Sequence, residues 1–296
     1  NGMTEIEVSH RYGKDSDFGR LYASYPSFQS MPGALRRILS HELYHDIDID
    51  NCAPTFLLQL AQKSGFPCPT LQRYVDNRDA TLRVLMSEMS LSREQVKKAF
   101  LITQHNGRYT QATEQQKSLL LDAYHAEIMG LGTHLWDRPE HKELKDKIVA
   151  DSTKTNKAGT FLAWLYQTLE ADVIQAAANF FKQQGYEIGA LVFDGFMAME
   201  KRESRPVTRE LLDSAAAHAY EETGYQIRLS EKSLEPLPED IVRVLGAASS
   251  SDTITRKKLF LFDKSVLLSS DGRFHAGISS VKMLKDAGYA VGVWTP

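Results

Sequence analysis

The stretch Tyr44–Thr55, Y-H-D-I-D-I-D-N-C-A-P-T, decides how this chain is read, together with Leu191–Met197, L-V-F-D-G-F-M. In the first stretch Asp46, Asp48 and Asp50 alternate with Ile47 and Ile49. Strand side chains alternate faces, so the three carboxylates share one face and the isoleucines the other. Like charges about 6.5–7 Å apart along a strand face repel each other, so the face must be solvated or meet cations. In the second stretch Asp194 follows the apolar run Ala190–Phe193 and precedes Gly195, which permits a tight turn. Two strands that each present aspartate at an end supply what a divalent-metal site for phosphoryl transfer needs. The plainer alternatives are a solvated strand edge for the first run and an ordinary turn aspartate for the second.

Composition narrows the setting. The chain has 296 residues, of which 42% are hydrophobic and 25% charged, an ordinary globular balance that fits one large domain or two modest ones. No apolar run approaches the roughly 20 residues of a membrane span and no signal-peptide pattern opens the chain, so no membrane partner is expected. With two cysteines, Cys52 and Cys68, neither a disulfide framework nor a Cys-rich zinc site is implied, and an intracellular location is expected (cytoplasm, nucleus or a viral replication compartment). A formal charge of −3 argues against strong non-specific nucleic-acid binding. Local basic clusters can still hold phosphates: Arg36-Arg37, Arg93/Lys97/Lys98 and Lys142/Lys145/Lys147. Asn1-Gly2 before Met3 reads as a cloning scar.

Around the two aspartate runs the pattern is mainly helical. Helices are expected at 33–40, from Ala53 onward, at 70–84, at 92–104 with Ser92 as N-cap and Gln95 three residues on, at 115–131, 139–150, 160–184 and 208–223. A hairpin is expected through 199–202. Gly246–Asp252 reads as a linker. Beyond it, strands at 258–262 and 289–294 flank a helix at 278–287. The domain reading is 1–245 and a small βαβ-like fragment, 256–296.

Four stretches in order resemble the palm and fingers module of family A DNA polymerases. Gly19–Pro32, G-R-L-Y-A-S-Y-P-S-F-Q-S-M-P, followed by Arg36, is similar to that family's G-R-L…P-N-L-Q-N-I-P…I-R. Asp48–Thr55 stands in the place of motif A, Arg93–Gly107 resembles the fingers helix, and Gln167–Ile174 followed by L-V-F-D-G resembles the helix and strand of motif C. The resemblance implies an α+β fold: a palm on an antiparallel sheet, with helical fingers inserted between the aspartate strands. It implies template-directed DNA synthesis by two-metal phosphoryl transfer with Mg²⁺ or Mn²⁺, nucleic acid and nucleoside triphosphates as partners, and a further subunit supplying the clamp. Asp48 and Asp194 would be catalytic metal ligands, with Asp46 beside them. Arg93, Lys97, Lys98, Asn51, Ala53 and His105 would meet the nucleotide. Arg20, Gln29, Arg36 and Gln167 would meet the nucleic acid, although Gln167 and Glu170 equally suit surface or sheet-packing polarity.

Departures from the pattern open other readings. Ala53 stands at the usual steric-gate position, which implies ribonucleotide use and an RNA polymerase or primase; Gly195 replaces the acidic companion of Asp194, which favours a silent nucleic-acid-binding palm. H-E-L-Y-H at His41–His45 matches the zinc pattern H-E-x-x-H, but its helix would have to run into D-I-D-I-D. Lys258–Leu268, with Gly292–Thr295, resembles the opening of haloacid-dehalogenase-type phosphatases. That family needs a second aspartate where Ser265 stands.

Overall fold

The computed structural model describes residues 8–13, 17–24, 27–107, 109, 118–200 and 206–235, with the backbone of 259–262, 266–269, 274–276 and 291–293. Two short strands, β1 (His10–Tyr12) and β2 (Leu21–Ala23), pair antiparallel before α1 (Gly33–Ser40) leads into β3 (His45–Ile49). Among the described residues six α-helices follow: α2 (Cys52–Ser64), α3 (Pro69–Asp76), α4 (Arg78–Met89), α5 (Arg93–Gln104), α6 (Leu119–Trp136) and α7 (Lys142–Ala150). The long α8 (Lys157–Gln183) then returns the chain to the sheet through β4 (Tyr186–Val192) and β5 (Gly195–Glu200), and α9 (Arg209–Thr223) precedes β6 (Leu229–Lys232). The fold is α+β, an antiparallel sheet with a helical insertion between its aspartate strands.

The sheet has the order β4-β5-β3-β6, and every neighbouring pair is antiparallel. Alternation along β3 sorts its side chains as the sequence implies. Ile47 and Ile49 are buried in the main core with Phe196 and Ala198 of β5 and with Val173, Ile174 and Phe181 of α8. Asp46 lies opposite Met197, and Asp48 opposite Gly195, on the other face. That face carries a smaller apolar cluster, Ala190, Val192, Met197 and Leu234, with Phe28 and Tyr44 packed on it. Completely burying an aromatic or aliphatic side chain contributes about 1.5–3 kcal/mol, so the helix-covered face holds the sheet together.

Several boundaries depart from expectation. The helix expected at 70–84 is two, because Asn77 (φ −135°, ψ 49°) leaves helical geometry and serves both as the end of α3 and the start of α4. The tight turn expected before Gly195 falls at Phe193-Asp194, and β5 runs on to Glu200, while residues 201 and 202 of the hairpin expected through 199–202 lie outside the described residues. Asp50 lies beyond β3, where its backbone N–H donates to the carbonyl of Arg228 at 2.8 Å. The helix that H-E-x-x-H requires is absent: α1 stops at Ser40 and His45 opens the strand. His41 Nδ1 lies 3.0 Å from the Ile38 carbonyl, whereas His45 Nδ1 lies 2.7 Å from Glu231 Oε1, so the two rings serve different partners.

Near the C-terminus β7 (Leu259–Phe262), β8 (Val266–Ser269), β9 (Phe274–Ala276) and β10 (Val291–Val293) form a separate sheet of order β10-β7-β8-β9, with β10 parallel to β7. The expected linker at 246–252, the helix at 278–287 and Ser265 lie outside the described residues.

Candidate functional site

Asp194 reaches the site because the β4–β5 turn is tight and tied down. Phe193 takes left-handed geometry (φ 57°), which is uncommon for a bulky residue, and the Ile49 N–H donates to the Asp194 carbonyl at 2.9 Å. The hairpin tip is thereby fastened to the end of β3. Gly195 next to it is required sterically, since a Cβ there would run into the Asp48 carboxylate and the Ile47 carbonyl. The sequence feature that departed from the polymerase pattern thus has a local cause: the space beside Asp194 is already filled by Asp48.

The acidic face is met by cations from three directions. Lys232 stands directly across from Asp46 in the β3–β6 register and closes an ion pair with the nearly buried Asp48. Arg36 of α1 faces both Asp46 and Asp194, while its guanidinium donates to the Phe28 carbonyl at 3.4 Å. Arg20 lies over the Phe193 ring, 4.8 Å from its centroid, and its charge reaches Asp194. Burial pushes the Asp46 carboxyl up, against the pull of Arg36 and Lys232, and the negative charge of Asp194 adds to the rise. Burial also raises Asp194, opposed by Arg20 and Arg36, and lowers the Lys232 ammonium. Carboxyls held above their ordinary range chiefly by desolvation mark a cluster that favours added positive charge.

Behind this centre lies a buried polar pair. Glu170 of α8 accepts from Arg20 at 3.2 and 3.3 Å and from the Cys52 thiol at 3.5 Å. The Gly19 N–H donates to Thr168 Oγ1 at 2.8 Å, fixing the segment that carries Arg20. His105, at the end of α5, has Nε2 3.0 Å from the Tyr166 hydroxyl; burial lowers its pKa, and Arg20 acts in the same direction. The motif segments around Gly19, Asp48, His105 and Gln167 therefore meet around Arg20 and Glu170.

Other expected site residues stand elsewhere or do structural work. Arg93 opens α5, about 16 Å of helix from Gln104, and pairs with Asp79 at 2.6 Å; Lys97 pairs with Glu94 at 2.9 Å, and Lys98 is exposed. Gln29 bonds the backbone of Leu21 and Ala23, bracing β2. Gln167 gives its side-chain hydrogen bond to Tyr166. Asn51 takes left-handed geometry (φ 52°) ahead of α2, and its buried Nδ2 has no hydrogen-bond partner among the described residues. Ala53 packs, partly buried, on the core. Lys232 was missed as a site residue, and Glu170 was weighed with Gln167 as equally suited to surface or sheet-packing polarity. Glu170 was detectable, because it breaks an apolar run with Tyr166, Val173, Ile174 and Ala177 at helical spacing; nothing local marks Lys232.

Among the described residues no group of three or more His, Cys, Asp or Glu side chains is arranged to hold a metal ion. The donor set nevertheless suits Mg²⁺, which takes one or two carboxylates and completes its shell with water and phosphate oxygens. Asp46 feels the charge of Asp194, while Asp48 is engaged by Lys232. No described helix is long and apolar enough to cross a membrane.

No family model matches the chain. A search of curated proteins finds similarity to "Putative helicase V13" of Sputnik virophage, 28% identical over 267 residues, covering 88% of this chain and 34% of that protein. The chain thus spans about a third of the relative's length. This overturns the expectation of template-directed DNA or RNA synthesis, because the relative is described as a helicase, a different kind of enzyme.

Proposed function

We propose that the chain is a nucleic-acid-binding module of a larger helicase-type enzyme, in which Asp46 and Asp194 hold a divalent cation that bridges to a backbone phosphate. Mg²⁺ or Mn²⁺ is the ion the donor set suits, and it would supply a direct bond to phosphate oxygen. Arg20 and Arg36 then lie beside the charge that the phosphates bring. The observation that carries this reading is the meeting of carboxylates from β3 and from the β4–β5 turn under guanidinium groups from two other segments. The relative described as a helicase supports nucleic acid as the partner. The phosphate-cradling pattern G-x-x-x-x-G-K-[S/T] does not occur in these 296 residues, so the role proposed for them is strand engagement.

Fluorescence anisotropy with labelled single-stranded DNA and RNA tests this. Binding by the 296-residue chain should tighten about tenfold when Mg²⁺ replaces EDTA at constant ionic strength, and Asp46→Asn or Asp194→Asn should remove that gain. Affinity indifferent to Mg²⁺, or a gain that survives both substitutions, would refute the assignment.

A further inference from the structure

We propose that Phe193 is a stacking platform for an unpaired nucleobase, set at the tip of the β4–β5 hairpin. This rests on the strand-engagement reading above, names the part of the strand that is recognised, and requires no metal ion. In a two-residue hairpin loop, a positive φ at the first central position suits glycine, asparagine or aspartate. Phe193 stands at that position with φ 57°. Its backbone therefore carries a strain that glycine would not. Burial does not offset it. The hairpin tucks Val192 and Phe196 away at 4% and 0% exposure, yet leaves Phe193 38% exposed. An aromatic side chain that is strained and also open to solvent points to a use outside the packing of the fold.

What faces the ring indicates the class of partner. The Arg20 guanidinium lies 4.8 Å from the ring centroid and is anchored from behind by Glu170 at 3.2 and 3.3 Å. Arg36 brings a second positive charge to the same turn, where it acts on Asp194. An exposed ring beside fixed guanidiniums is the combination that engages single-stranded nucleic acid, the ring taking a base by its π face and the cations flanking phosphates. Glu170 and Asp194 offset much of the Arg20 charge, so the base contact should carry more of the affinity than the phosphate contact. Every base has a π face, which makes the platform tolerant of sequence. A base inside a duplex is already stacked on its neighbours, so the partner is an unpaired strand.

Fluorescence anisotropy in EDTA tests this with the 296-residue chain, using a labelled oligothymidylate and the same sugar-phosphate backbone without bases. Wild type should bind the base-bearing strand about tenfold more tightly than the abasic one. Phe193→Gly should remove that preference and leave abasic binding unchanged, whereas Phe193→Trp should keep it. The Phe193→Gly melt should lie at or above that of wild type, because glycine takes positive φ without strain. Should that variant fold poorly, Phe193→Leu keeps apolar bulk, lacks the π face and carries the same binding expectation. Equal wild-type affinity for the two strands, or a preference that survives in Phe193→Gly, would overturn stacking while leaving strand engagement intact. Equal losses on both strands in Phe193→Gly would do the same, making the ring a prop of the turn. No binding of either strand by wild type, in EDTA or in Mg²⁺, would overturn both readings.

Discussion

Arg20 and Glu170 show how one residue pair couples stability to the site. The Glu170 carboxyl is almost fully buried (3% exposed) against Arg20 (26%), and burial raises its pKa in spite of that partner. A carboxyl raised in the folded state contributes stability below its unfolded pKa, and the contribution is lost as pH rises through the folded value. Removing the guanidinium leaves the carboxylate uncompensated. Arg20→Met should therefore destabilise the chain by about 3 kcal/mol at pH 7. The deficit should narrow in melts at progressively lower pH, as Glu170 takes up a proton; a deficit independent of pH would refute the electrostatic account. Residue-level reading of the sequence reached Asp46, Asp48 and Asp194 because period-two alternation and a turn glycine are local signals. Lys232 lay beyond it because its partner is chosen by strand pairing across the whole insertion. Of the α5 cations, Lys97 has a partner legible in the sequence, Glu94 three residues before it on the same helix, whereas the pairing of Arg93 with Asp79 of α4 becomes visible only in the fold.

Elements differ in what they owe to local sequence. The start of α5 is written locally: Ser92 accepts from the Gln95 N–H and Gln95 returns a bond to the Ser92 N–H, so Ser92→Ala should cost about 1 kcal/mol in a denaturant melt and leave cation binding unchanged. The β4–β5 turn is written tertiarily. Gly195→Ala forces a methyl into the Asp48 carboxylate and the β3 backbone, which should cost about 1–3 kcal/mol and abolish the Mg²⁺ response of nucleic-acid binding. A Gly195→Ala protein with wild-type melting and wild-type Mg²⁺ dependence would contradict the geometry of the centre. Helix α1, the strand at 45–49 and the Ser92 cap were legible in the sequence, since each rests on spacing within a few residues. The break at Asn77 was not, as neither proline nor glycine marks it. The tight turn at Asp194 was legible from Gly195, but the left-handed backbone of Phe193 was not, since it goes with a bond between Ile49 and Asp194 that only the fold brings together.

At the scale of the molecule, the central pairing joins residues far apart in the chain. Asp48 meets Gly195 across an insertion of roughly 150 residues, most of it helical. Closing so long a loop is entropically costly, whereas the helices between form from near neighbours. In stopped-flow refolding the far-ultraviolet helical signal should therefore recover before Mg²⁺ binding does, and simultaneous recovery would count against this order. During translation the consequence is a waiting period. The segment 45–49 leaves the ribosome on the order of ten seconds before its partner is made, at ordinary elongation rates. Throughout that interval its three neighbouring aspartates act as a gatekeeper: their mutual repulsion keeps a nascent, partnerless strand from adhering to other chains until the hairpin arrives to claim it.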